Sequence, residues 1–253
     1  MRKASILILV ALAYAGFASA ATAPTPAPVS ATAAQQAAAK AQNENALITQ
    51  EQSAQSAKDW PKAETLLNQL TAMDPGNWQF HQALGDVRLN EGKYEEAAHS
   101  YATALVAAGK AEATPAIHQA MAIMYSNEGT AYEKLKKDDE AFKAYTQAAQ
   151  LSDTPATTAT AWNNACVAGF NASKGKEALD ACNKALAADP TKANAWFIKG
   201  SILMGDADED ASGKPVPVAG TVEAFKKYLA LEPKGPHAAD AQQMLDYLSG
   251  KSP

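Results

Sequence analysis

The sequence predicts an all-α fold, an α-solenoid of stacked helix-turn-helix hairpins closed by a C-terminal capping helix. Three observations carry that expectation. Of 253 residues, 47% are hydrophobic and 19% charged, the balance of a chain that packs a core. Alanine supplies much of the apolar share while aromatics reach only 7%, which favours helices that approach closely through small side chains. Amphipathic stretches that end in an acid and a proline also recur: "AETLLNQLTAMDP" closes at Pro75, "ALDACNKALAADP" at Pro190 and "VEAFKKYLALEP" at Pro233.

Taken in order, the opening "MRKASILILVALAYAGFASA" places Arg2 and Lys3 before an apolar run from Ile6 to Phe17, then Ala18, Ser19 and Ala20. That is the layout of a secretory signal peptide over residues 1–20, with an uncleaved membrane anchor as the competing reading. Cleavage removes two of the 22 basic residues and none of the 27 acidic ones, taking the formal charge from −5 to −7. A negative chain without a basic, aromatic-interleaved stripe argues against nucleic acid, and against anionic lipid, as the partner. Residues 21–43 begin as an Ala/Pro/Thr-rich flexible tether, "ATAPTPAPVSATA", and pass into the start of the first helix.

Beyond the tether each closing helix is preceded by another. "HQALGDVRLNEG" stands before "KYEEAAHSYATAL", "YSNEGTAYEKLKK" before "DDEAFKAYTQAAQL", and "WNNACVAGFNASKG" before "KEALDACNKALAADP". Five units are expected over residues 44–235: 44–77, 78–111, 122–155, 159–192 and 193–235. Alanine or glycine on the first helix lets the pair approach to about 8–10 Å, and Tyr, Phe or Leu on the second fills the groove beside it. One hairpin cannot bury both faces, so neighbours must stack. Three departures stand out. Residues 112–121 are extra and lengthen the third unit's first helix or the turn before it. Arg88 occupies a place where an aromatic is usual. "GDADEDASGKPVPVAG", 205–220, interrupts the fifth hairpin as a loop projecting from one edge and puts Thr221 where alanine is expected. Last comes the capping helix, 236–250, with Pro236 at its start and Ala241, Met244, Leu245 and Leu248 on one face.

These spacings resemble the tetratricopeptide repeat family, whose unit is about 34 residues long. In the family register Gly85 and Tyr101, Gly129 and Tyr145, and Cys166 and Cys182 are the eighth and twenty-fourth residues of their units. The resemblance implies that eighth and twenty-fourth residues face each other across an antiparallel hairpin. A Cys166–Cys182 disulfide is then within reach in an exported chain, the alternative being two buried thiols. It also implies a concave groove lined by the first helices, receiving an extended peptide or a partner's helix. Its candidate residues are Gln82, Asp86, Ser126, Asn163, Val167, Phe170, Asn194, Phe197 and Ser201. The lysine and arginine set with which some relatives clamp a C-terminal carboxylate is missing.

No catalytic constellation is legible. His81, His99, His118 and His237 are scattered without ligand spacing, and no glycine-rich phosphate cradle is present. Asp206, Asp208 and Asp210 have the alternation of a calcium loop, but Ala211 and Pro217 stand where that loop needs glycine and a bidentate glutamate. The expectation is a non-enzymatic scaffold without cofactor or metal, in the periplasm or cell envelope, binding a protein or peptide. The mature chain is expected not to insert in a membrane. Two alternatives stay open: a self-associating structural adaptor of the envelope, and an accessory subunit of an envelope enzyme complex.

Overall fold

A computed structural model describes residues 31–209, 211 and 215–250. The signal peptide and most of the tether therefore lie outside the described residues. The chain divides into two units, residues 1–43 and residues 44–253. Helix α1 is Ala31–Ser56, and from Thr32 to Asn43 its side chains are exposed.

The larger unit is all-α among its described residues, apart from one two-residue β-ladder. Its hairpins begin with the later part of α1 and α2 (Trp60–Met73). There follow α3 (Trp78–Glu91) with α4 (Tyr94–Ala108), α5 (Pro115–Lys134) with α6 (Asp138–Leu151), and α7 (Pro155–Asn171) with α8 (Gly175–Ala188). The fifth pair is α9 (Ala193–Gly205) and α10 (Thr221–Leu231), and α11 (Ala238–Leu248) ends the array.

Local chemistry sets these boundaries. Asp59, Asn77, Thr114 and Thr154 each accept a backbone N–H of the following first turn, and Pro61, Pro115 and Pro155 sit where the missing N–H costs nothing. The extra residues 112–121 thus become the cap and first turns of a 20-residue α5. The turn inside each of the first four hairpins uses one left-handed residue, the fifteenth of its unit: Lys58, Gly92, Lys136 and Ser173, with φ of 57°, 79°, 60° and 58°. Three of the four carry a Cβ, so the turn is imposed by helix packing against local preference.

The core is a stack of small residues with aromatics let into it. Ala63, Ala97, Ala141, Ala165 and Ala178 are fully buried, as are Tyr101, Phe225 and Tyr228, with Tyr145 nearly so. At Gly85 and Gly129 the helices are so close that a Cβ would stand 2.7 Å from the Tyr101 ring and 2.8 Å from the Tyr145 ring. Any larger residue there must displace a buried ring.

Arg88, the apparent misfit, ties two hairpins together. Its Nε donates to Glu64 Oε1 on α2 at 2.8 Å and its Nη1 to Ser100 Oγ on α4 at 2.8 Å. Lys93 Nζ reaches the other oxygen of Glu64 at 2.6 Å and holds the Glu64 pKa below the usual carboxylate range, with Arg88 adding to the effect.

The insert in the fifth hairpin contains more order than a plain loop. Its two limbs must return to the same gap between α9 and α10, and they pair as antiparallel β1 (Asp208–Glu209) and β2 (Pro215–Val216), with Asp208 opposite Val216. Thr221 is fully buried, and its hydroxyl donates to the Val218 carbonyl at 2.7 Å. The cap starts at Ala238 and not at Pro236, because His237 N–H donates to Tyr228 Oη at 2.9 Å and holds the preceding residues in a turn.

Candidate functional site

All nine candidate groove residues lie on the first helices of units two to five, and the structure divides the set by what each side chain already touches. Asp86, the ninth residue of its unit, is engaged. Its Oδ1 accepts Tyr101 Oη at 2.6 Å and Asn127 Nδ2 at 3.0 Å, linking α3 to α4 and to α5. Burial pushes its pKa up from 3.8 to about 6 against the opposing effect of those two bonds. The same burial, followed by the Asp86 charge, raises the Tyr101 phenol.

Phe197 does not stand free either. Its ring stacks on His237 at 4.1 Å between centroids and lies 5.4 Å from Tyr228, so the chain before α11 covers it. Ser201 donates to the Phe197 carbonyl of its own helix at 3.0 Å, and Gln82 is buried. What remains accessible centres on α7. Asn163 and Val167 are half-buried and Phe170 is 40% exposed, a line along one face at spacings of four and three. Asn163 Oδ1 is buried without a hydrogen-bond partner among the described residues. Ser126 on α5 is half-buried and Asn194 on α9 exposed.

The helix that carries this line is covalently fixed. Cys166 and Cys182 form a disulfide between α7 and α8, with Cα atoms 4.9 Å apart and both residues fully buried. It stands at the register where units two and three set glycine against tyrosine.

Two pockets of about 310 Å³ and 210 Å³ contain none of the groove residues. The larger is lined by Phe142 and Thr146 of α6, Trp162 of α7, and Lys176, Asp180 and Lys184 of α8, with Lys184 Nζ 4.4 Å from the Trp162 ring centroid. The smaller lies between α5 and α6. Sequence reasoning passed over its lining residue Glu128, although an acid in an otherwise apolar register was a visible signal.

Of the histidines, His81 Nε2 lies 3.0 Å from the Pro75 carbonyl, and His99 and His118 are exposed. Asp210 of the acidic alternation lies outside the described residues. Among the described residues, no group of three His, Cys, Asp or Glu is placed to hold a metal ion, and no helix is long and apolar enough to cross a membrane.

A tetratricopeptide repeat family model matches residues 52–113 and, overlapping them, 83–156. No curated protein matches the chain. Among solved structures it is similar to YrrB, a TPR protein with an unusual peptide-binding site, at TM-score 0.61 and 18% identity over 78% of this chain and 90% of that one. It is similar to a tetratricopeptide repeat protein from Parabacteroides merdae at TM-score 0.59 and 17% identity, over 83% and 75% of the two chains. MamA from Desulfovibrio magneticus, from residue 41 of that protein to its end, matches at TM-score 0.56 and 15% identity, over 76% and 97%. The fold is that of a TPR solenoid.

Proposed function

We propose, on the premise that the whole array is a tetratricopeptide repeat protein, that it is a non-catalytic scaffold of the periplasm or cell envelope. It holds an extended segment of a protein partner on the face centred on α7. The observation that carries this reading is the Asn163 carboxamide, whose Oδ1 is buried with no partner among the described residues, on the same line as Val167 and the exposed Phe170. A buried acceptor without a donor costs about 1–3 kcal/mol, and a peptide N–H arriving from outside recovers it. Carboxamides bond a peptide backbone whatever its sequence, and Phe170 supplies an apolar anchor. The likeness to YrrB, a protein with a peptide-binding site, supports the reading at the level of fold. The cation, apolar run and Ala-Ser-Ala order of residues 1–20 supports export.

In-cell crosslinking from a photoreactive residue placed at 170 tests the site. The expected result is one dominant adduct that Asn163→Ala weakens and that a crosslinker placed at the exposed Glu95 on α4 does not form. Equal adducts from both positions contradict the assignment. Export is read separately from the intact mass of the protein recovered from the envelope, which should begin at Ala21.

A further inference from the structure

Glu128 is the seventh residue of its unit on α5 and retains 8% of its exposure, and neither carboxylate oxygen is among the fully buried unpaired polar atoms of the described residues. A charge on a largely buried side chain carries a desolvation cost, and a fold that serves only to stack helices would place an apolar side chain there. The side chain is not sealed in. It lines the pocket of about 210 Å³ between α5 and α6, with Tyr125 and Tyr132 from its own helix and Glu140, Lys143 and Gln147 from α6. Tyr125, Glu128 and Tyr132 are spaced by three and four and so share one face of α5, while Glu140, Lys143 and Gln147 share one face of α6.

The composition of that seam selects its ligand. An anion would meet two carboxylates, Glu128 and Glu140, against one cation, Lys143. A neutral donor would bond one oxygen and leave the charge uncompensated. A hard divalent cation wants six or more oxygens, and two carboxylates beside two aromatic rings do not supply them. An alkylammonium head satisfies both features at once, since its charge pairs with Glu128 and its carbon shell lies against tyrosine faces. We infer that the α5–α6 seam is a binding pocket for an alkylammonium group, either a free small cation or the side-chain end of a lysine on a bound protein, with Glu128 as its counter-ion and Tyr125 and Tyr132 as its walls.

Burial also pushes the Glu128 pKa up to about 7, so near neutral pH the empty seam holds this carboxyl partly protonated and a bound cation takes the place of that proton. The seam shares no residue with the α7 face, so this pocket stands or falls apart from the proposed function.

The test uses the full oxidised chain and three probes: tetramethylammonium, a capped tripeptide with lysine at its centre, and tert-butanol as a neutral counterpart in shape. Binding is followed through the ring resonances of Tyr125 and Tyr132 and by calorimetry. Saturable binding of at least one ammonium probe is expected, with tert-butanol silent. Glu128→Gln should weaken the bound probe by at least about tenfold, and Lys143→Ala, which removes the competing cation at the rim, should tighten it. Preference for the tripeptide assigns the pocket to a partner's lysine, and preference for tetramethylammonium to a free cation. Glu128→Gln removes a buried charge and keeps the shape, so its melting temperature should hold or rise, separating lost binding from lost folding. The inference is overturned if neither ammonium probe binds at millimolar concentration, or if Glu128→Gln binds as tightly as the parent.

Discussion

The α5–α6 and α7–α8 hairpins solve one packing problem in two ways. In the first, Gly129 lies under the Tyr145 ring, and the phenol reaches past it to donate to Glu133 Oε2 at 2.9 Å and lie 3.2 Å from Thr130 Oγ1. In the second, the same two register positions are Cys166 and Cys182, joined covalently. The ninth and twelfth residues explain the change. They are Thr130 and Glu133 in the first hairpin but Val167 and Phe170 in the second, where a tyrosine hydroxyl would arrive among apolar groups without an acceptor. The α3–α4 hairpin follows the first pattern, Tyr101 reaching the ninth residue Asp86. The α9–α10 hairpin sets Gly200 against Phe225, which has no hydroxyl to satisfy. Core filler and outer face are therefore chosen together. The helix that carries Asn163, Val167 and Phe170 is also the one joined to its neighbour by a covalent bond.

The comparison can be broken hardest at the disulfide. Cys166→Ser with Cys182→Ser should destabilise by about 3 kcal/mol through the freed unfolded chain alone, read as a lower urea midpoint that reductant no longer shifts. Next is Gly129→Ala, whose Cβ would meet the Tyr145 ring at 2.8 Å. A loss of about 2–3 kcal/mol is expected, whereas Gly205→Ala, with nothing within 4 Å, should be neutral or stabilising.

Asp86 gives a pH signature. Its folded pKa of about 6 lies above its ordinary 3.8, so the folded state binds the proton more tightly. The stabilisation is fully present below the unfolded pKa and is lost as pH rises through 6. In D86N the amide oxygen still accepts from Tyr101 and Asn127 and does not titrate. The stability of D86N relative to the parent should accordingly rise by about 2 kcal/mol between pH 4 and pH 7, measured by urea unfolding along that range. The smallest effect is expected at Lys136→Gly, where relief of a left-handed backbone with φ 60° outweighs the lost chain stiffness by about 0.5–1 kcal/mol.

Much of this fold was legible in the sequence because its signals are local. The Asp-Pro closures, the Thr-Pro and Asp-Trp-Pro openings and the glycine or alanine at the eighth residue all act within one hairpin. What the sequence leaves unread are contacts whose partner is far along the chain. Arg88 looked like a misfit because Glu64 is 24 residues before it and Ser100 is 12 after. Asp86 read as a groove residue because the Asn127 that binds it is 41 residues away. Phe197 read as a groove residue, and nothing local announces that His237 will stack on it. Glu128 was passed over although its place in the register was readable, because the seam it lines is completed by residues of the next helix.

The central claim, that the hairpin spacing is common to the array and the filler interchangeable once the outer face permits it, is tested most directly by giving α7–α8 the glycine and phenylalanine solution of α9–α10. The measurement is urea unfolding of C166G/C182F beside the oxidised parent and the double serine variant, with and without reductant. The claim predicts a midpoint well above that of the double serine variant, close to the oxidised parent and indifferent to reductant. A C166G/C182F chain that unfolds with the double serine variant, or earlier, contradicts it.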